Sequence, residues 1–234
     1  MRPQFTAVAR FFSYCVGRVV YKRRIAKFLG LEISHVDRFY KEINDSEFMR
    51  DITRKAQVKS GFFDFNMAMV LRAPTLYIVC RIHKPEIVVE TGVADGFSAA
   101  FILQALETNK KGHLYSIDLP NQAGQILRDG KATGWLVPDI LKKRWTLIFG
   151  SSKEELPQLL VRLRKIDIFF HDSEHTYGNM MFEFNTVRDY LDKKGLVISD
   201  DITDSDAFDT FCREAQFSLL RLFKTGIARR NNCF

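Results

Sequence analysis

Cysteine is scarce in this 234-residue chain, and Cys15, Cys80, Cys212 and Cys233 stand too far apart for metal-knuckle or redox spacing. That argues against a disulfide scaffold and for free thiols in a reducing, cytoplasmic setting. No apolar run reaches the ~20 residues that a membrane-spanning helix needs. The amino-terminal segment also lacks the uninterrupted apolar core and small-residue cleavage site of a secretory signal. Repeats and low-complexity tracts are missing. Acid is absent from one region only: residues 1–31 hold seven of the 35 basic residues and none of the 28 acids, so the formal net charge of +7 sits there.

In that arm Phe5, Val8, Phe12, Cys15, Val16 and Val19 share one helical stripe, with Arg10, Arg18 and Arg24 mostly off it. A basic amphipathic helix of this kind either docks on the protein's own core or a second copy, or lies on an anionic membrane surface. Nucleic acid is not the expected partner, because the rest of the chain is charge-balanced and carries no recognised nucleic-acid module. Residues 32–84 read as a helical extension, with helices over Ile33–Val58, Phe62–Met69 and, after a break at Pro74, Thr75–Ile82.

From residue 85 to 234 strand and helix patterns alternate. Strands are expected at Ile87–Glu90, His113–Asp118, Trp145–Phe149, Ile166–Phe170 and Leu196–Ser199. Helices are expected at Phe97–Leu106, Lys153–Leu163, Tyr177–Leu191 and Phe208–Ala215, with Lys193-Lys194-Gly195 as the stop after the third. Phe217–Phe223 and Gly226–Arg230 close the chain as an antiparallel pair. The fold class is α/β: a doubly wound, mainly parallel, seven-stranded sheet.

The chemistry gathers at strand ends. Glu90-Thr91-Gly92-Val93-Ala94-Asp95-Gly96-Phe97-Ser98 is a strand, a glycine turn and a helix start. Gly92 allows a sharp turn and Gly96 a close backbone approach, while the helix start offers unpaired N–H donors. Glu90 and Asp95 disfavour a diphosphate there and favour a ligand carrying positive charge. Asp118, Ser151, Asp172, Asp200 and Asp201 also fall at the carboxyl ends of strands, the edge where open α/β sheets bind ligands.

Together, Glu90-x-Gly92-x-x-x-Gly96-x-Ser98, Ser116-Ile117-Asp118, Gly150-Ser151-Ser152, His171-Asp172 to Tyr177 and Val197-Ile198-Ser199-Asp200-Asp201 resemble the class I S-adenosylmethionine-dependent methyltransferases. The nearest branch resembles the catechol and caffeoyl-coenzyme A O-methyltransferases and bacterial relatives acting on sugars and natural products. The resemblance implies a Rossmann-like cofactor domain and O-methylation of a small-molecule or glycan hydroxyl. It implies that Glu90, Gly92, Gly96 and Ser98 hold the methionine end of S-adenosylmethionine, that Asp118 takes the ribose hydroxyls, and that Ser151 and Ser152 lie beside the adenine. It also implies Asp172, Asp200 and Asp201 as ligands of a divalent cation such as Mg²⁺. His175 is the candidate general base, with Asp172 beside it in the catalytic segment. Two other readings remain open: a metal-dependent oxygenase using His171, Asp172 and His175, and a non-catalytic membrane-associated binding protein. A homo-oligomer is compatible with all three.

Overall fold

The computed structural model describes residues 19–57, 73–120 and 130–231. The expected helix at Phe62–Met69, most of the basic arm, part of the connection after Asp118, Cys15 and Cys233 lie outside the described residues.

Seven strands form one sheet: β1 (Ile87–Thr91), β2 (His113–Asp118), β3 (Trp145–Phe149), β4 (Ile166–His171), β5 (Leu191–Ser199), β6 (Phe217–Leu222) and β7 (Thr225–Arg230). Their order is β3-β2-β1-β4-β5-β7-β6, parallel through β5, with β7 antiparallel to both β5 and β6. The winding reverses between β1 and β4, and crevices for ligands open at such a switch point.

Helices cover both faces. α1 (residues 19–29), α2 (Ile33–Asn44), α3 (Glu47–Gln57), α4 (Ala73–His83) and α5 (Phe97–Asn109) share a core with Val88, Leu114, Phe170 and Ile198 of the sheet. α6 (Ser152–Leu163), α7 (Tyr177–Arg188) and α8 (Ala207–Glu214) bury Val89, Ile117, Phe169 and Val197 on the other face. Successive strand residues thus point to opposite cores, which explains why the parallel strands are apolar throughout. α1 packs through Ile25 and Ala26, its Tyr21 hydroxyl donates to the Leu222 carbonyl at 3.2 Å, and Phe28 lies under the Arg229 guanidinium.

Three boundaries differ from expectation. Pro74 sits in the first turn of α4, where its missing N–H has no intrahelical partner to lose, and does not interrupt the helix. α7 ends at Arg188, so Leu191 belongs to β5. Lys193-Lys194-Gly195 lies inside β5 at a register shift, because Ile166 faces Leu191 while Ile168 already faces Leu196. Asp192 organises that bulge by accepting from the Lys194 N–H at 2.9 Å and pairing with Lys165 at 3.2 Å. A 3₁₀ segment at Asp139–Arg144, unforeseen from the sequence, leads into β3.

Candidate active site

The glycine turn leaves β1 at the switch point. Gly92 has φ +83°, and a Cβ there would stand 2.0 Å from the Asp172 carbonyl oxygen. Only glycine lets the loop after β1 touch the loop after β4. The Asp172 N–H donates to the Thr91 carbonyl at 2.8 Å, and the Asp200 N–H to the His171 carbonyl at 2.9 Å, so the ends of β1, β4 and β5 are tied together.

Glu90 supports the turn from inside. Its carboxylate is fully buried and accepts from Ser98 Oγ and Ser116 Oγ, both at 2.6 Å. Burial pushes its pKa up to about 7, against the opposing effect of the two hydroxyls. Ser98 is thereby committed to Glu90, and both side chains act beneath the loop rather than at its surface. The raised pKa means that the folded state holds a proton that the unfolded chain has released, so stability from this group is full below about pH 4.5 and is lost as pH rises through about 7. Glu90→Gln is expected to flatten the pH dependence of urea stability between pH 5 and 8; an unchanged slope would remove Glu90 as its source.

Asp118 ends β2 with Oδ2 accepting from the Ala94 N–H and Oδ1 from the Leu119 N–H, both at 2.9 Å. Thus it anchors the glycine turn as well as the edge. The connection after β2 returns over the same turn. The Gly134 and Leu136 N–H groups donate to the Ala94 and Asp95 carbonyls at 2.8 and 3.0 Å, and Trp135 Nε1 donates to Asp95 Oδ1 at 2.5 Å. The Gly134 Cα region packs on the Trp145 ring, whose Nε1 donates to Ser116 Oγ at 2.9 Å. Ser151 caps α6 by accepting from the Glu154 N–H, and Ser152 opens that helix.

Behind the β4 end lies a buried polar cluster that sequence reasoning missed. Glu183 of α7 is fully buried and accepts from Thr91 Oγ1 at 2.6 Å and Ser173 Oγ at 2.7 Å, with His171 Nδ1 at 2.7 Å. Burial works to raise the Glu183 pKa, but the hydrogen bond from His171 and the charge of that ring outweigh it and hold the carboxyl low. A signal was present: Met180, Glu183, Phe184 and Val187 follow the apolar i, i+3, i+4, i+7 stripe, and an acid in that stripe requires buried partners.

His175 and Asp172 do come together, with Nε2 3.9 Å from Oδ1, too long for a hydrogen bond. Two of the three acids read as metal ligands have side-chain partners of their own. Asp201 has a left-handed φ of +44° and is paired with Lys224 Nζ at 2.8 Å, while buried Asp200 takes the Thr225 hydroxyl at 3.3 Å. Among the described residues no group of three or more His, Cys, Asp or Glu side chains converges to hold a metal ion. Of the residues read as an oxygenase triad, His171 is turned through Nδ1 to Glu183 in the sheet interior.

A doubly wound sheet with an acid-flanked glycine turn at its switch point has the layout of a Rossmann-like fold, whose ligand crevice lies at that edge. A family model described as "Methyltransferase domain" matches residues 89–202, from the middle of β1 to just past β5. Among solved structures, the S-adenosylhomocysteine-bound methyltransferase PaMTH1 of Podospora anserina aligns with 16% identity and a TM-score of 0.59, covering 80% of this chain and 89% of that one. The calicheamicin methyltransferase CalS11 aligns with 16% identity and a TM-score of 0.51, over 80% and 92% of the two chains. Its apo form, a TDP-rhamnose 3'-O-methyltransferase, gives 15% identity and a TM-score of 0.55 over 85% and 94%. No curated protein matches the sequence. The structural neighbours bear out the fold. The methyltransferase-domain match covers just under half of the chain, and the neighbours, at 16% identity or less, share its fold.

Proposed function

We propose that the chain transfers the methyl of S-adenosylmethionine to a hydroxyl of a small-molecule or glycosyl acceptor, with His175 as general base. The observation that carries this reading is the place of His175: a partly exposed imidazole at the switch point, beside Asp172, which itself touches the glycine turn. The cofactor supplies an electrophilic methyl, so the protein has to align an acceptor oxygen and take up its proton. Gly92, Gly96 and the loop N–H groups would receive the methionine end, held in shape by Glu90 and Ser98 beneath them. Asp118, already accepting two backbone donors, would take the ribose hydroxyls through its remaining lone pairs, and the Ser151-Ser152 turn would lie beside the adenine. Asp172 stands 3.9 Å from His175 and ties that loop to the end of β1 through its N–H bond to the Thr91 carbonyl.

Methyl-labelled S-adenosylmethionine incubated with a panel of phenols, glycosides and nucleotide sugars is the direct test. Label should pass to an oxygen of one acceptor class. Binding of NAD in place of S-adenosylmethionine in calorimetry would overturn the assignment. Because Asp201 is engaged by Lys224, excess chelator is expected to leave transfer unchanged; loss of activity would restore Asp172 and Asp200 as cation ligands.

The arm supports a second contact. Val19 and Val20 of α1 and Phe223 of the β6–β7 turn are exposed, and the Tyr21 to Leu222 hydrogen bond brings the two segments side by side, with Arg23 and Arg24 exposed on the same helix. Such an apolar and basic patch fits an anionic membrane surface. Among the described residues no helix is long and apolar enough to cross a membrane. The full chain should pellet with phosphatidylglycerol vesicles at low salt and a chain starting at Leu31 should not; equal behaviour would leave only the packing role.

A further inference from the structure

Nothing hydrogen-bonds His175 among the described residues: its Nε2 is enclosed without a partner, and Asp172 Oδ1 stands at 3.9 Å. A general base must nevertheless present one nitrogen in a fixed direction, because misplacement of about 1 Å can cost on the order of 100-fold in rate. What His175 does touch is the ring of His171, edge-on, with centroids 5.3 Å apart and planes at 84°.

The His171 ring is fully buried and, although its Nε2 also lacks a partner among the described residues, it is fastened through its other nitrogen. Its Nδ1 lies 2.7 Å from Glu183 Oε2, and Phe184 meets its face edge-on at 5.3 Å. Glu183 in turn reaches every segment bearing on the base. Thr91 fixes it to the end of β1, and Ser173 to the loop carrying Asp172 and His175. Asn179 Nδ2 bonds Glu183 Oε1 at 3.2 Å and the Glu174 carbonyl at 3.1 Å, one residue before His175. A fully buried carboxylate with this many donors is costly to arrange for packing alone, because an apolar side chain would fill the same stripe position without desolvation.

We infer that Glu183 and His171 are positioning residues for methyl transfer: Glu183 locks the His171 ring, and that ring is the platform against which His175 is oriented. Neither touches the reacting atoms. The inference rests on the reading of His175 as the base, and its test separates the two.

The full chain labelled with ¹⁵N-histidine contains five histidines, and ring signals can be assigned by single substitutions. Glu183→Gln keeps the size of the side chain and removes its charge. It should move the ring signals of His171 and His175 together and leave those of His35, His83 and His113 in place. Movement of His171 alone would overturn the inference, whatever the activity. Should Glu183→Gln not fold, Thr91→Val removes one donor from the same carboxylate and should give the same pattern with smaller amplitude; His175 signals left in place would again overturn it.

With the acceptor identified by methyl labelling, Glu183→Gln should lower kcat on the order of 10- to 100-fold, with both KM values within about twofold. On a His175→Gln background it should add nothing, since it acts through that ring. A loss that multiplies fully with that of His175→Gln overturns the positioning role and leaves the base intact. Full activity of His175→Gln alone removes the base itself, a result distinguishable from both.

Discussion

Gly92→Ala should abolish cofactor binding and destabilise the fold by roughly 2–4 kcal/mol, the sum of a left-handed backbone cost and overpacking. The added Cβ would stand 2.0 Å from the Asp172 carbonyl oxygen and 2.8 Å from the Ser173 nitrogen, both backbone atoms that cannot rotate away. The ends of β1 and β4 would have to separate, taking the Asp172–Thr91 hydrogen bond with them. Gly130→Ala is the matched control: its φ is +64°, yet a Cβ there meets nothing within 4 Å. It should cost only about 1–2 kcal/mol in backbone strain. Calorimetric titration with S-adenosylhomocysteine and urea denaturation measure both. Binding by Gly92→Ala within threefold of wild type would show that the contact between the two loops does not shape the cofactor seat.

His175→Gln should lower kcat by about 10²- to 10⁴-fold, the range general base catalysis supplies, with cofactor affinity nearly unchanged. Since His175 makes no hydrogen bond among the described residues and is partly exposed, the substitution should also leave stability within about 0.5 kcal/mol, so that a loss of rate is not a loss of folded protein. A comparable fall in S-adenosylhomocysteine affinity would instead place His175 in the cofactor seat.

The succession of strands along the chain and the placing of Glu90, Asp118, Asp172 and Asp200 at strand ends were legible in the sequence because β periodicity and glycine punctuation are local signals. The start of β5 was not. Lys193-Lys194-Gly195 looks like a helix stop, and only pairing with β4 reveals that the strand carries it as a bulge held by Asp192. Orientation was equally hidden. Glu90 and Ser98 read as ligand-facing, yet in three dimensions they face each other, a distinction that depends on which sheet face Ser116 occupies. For Asp201 the decisive partner, Lys224, arrives from a turn 23 residues later. The role of Glu183 needed only the helical stripe to be taken one acid further.

The chain has two tryptophans, one on the glycine turn and one behind its support: Trp135 bonds Asp95, while Trp145 packs under Gly134 and bonds Ser116, itself bonded to Glu90. Intrinsic fluorescence of the unlabelled protein is therefore a site-specific signal. An adenosyl ligand settling on that turn would be read optically without a dye or a coupled enzyme, and before any acceptor has been identified.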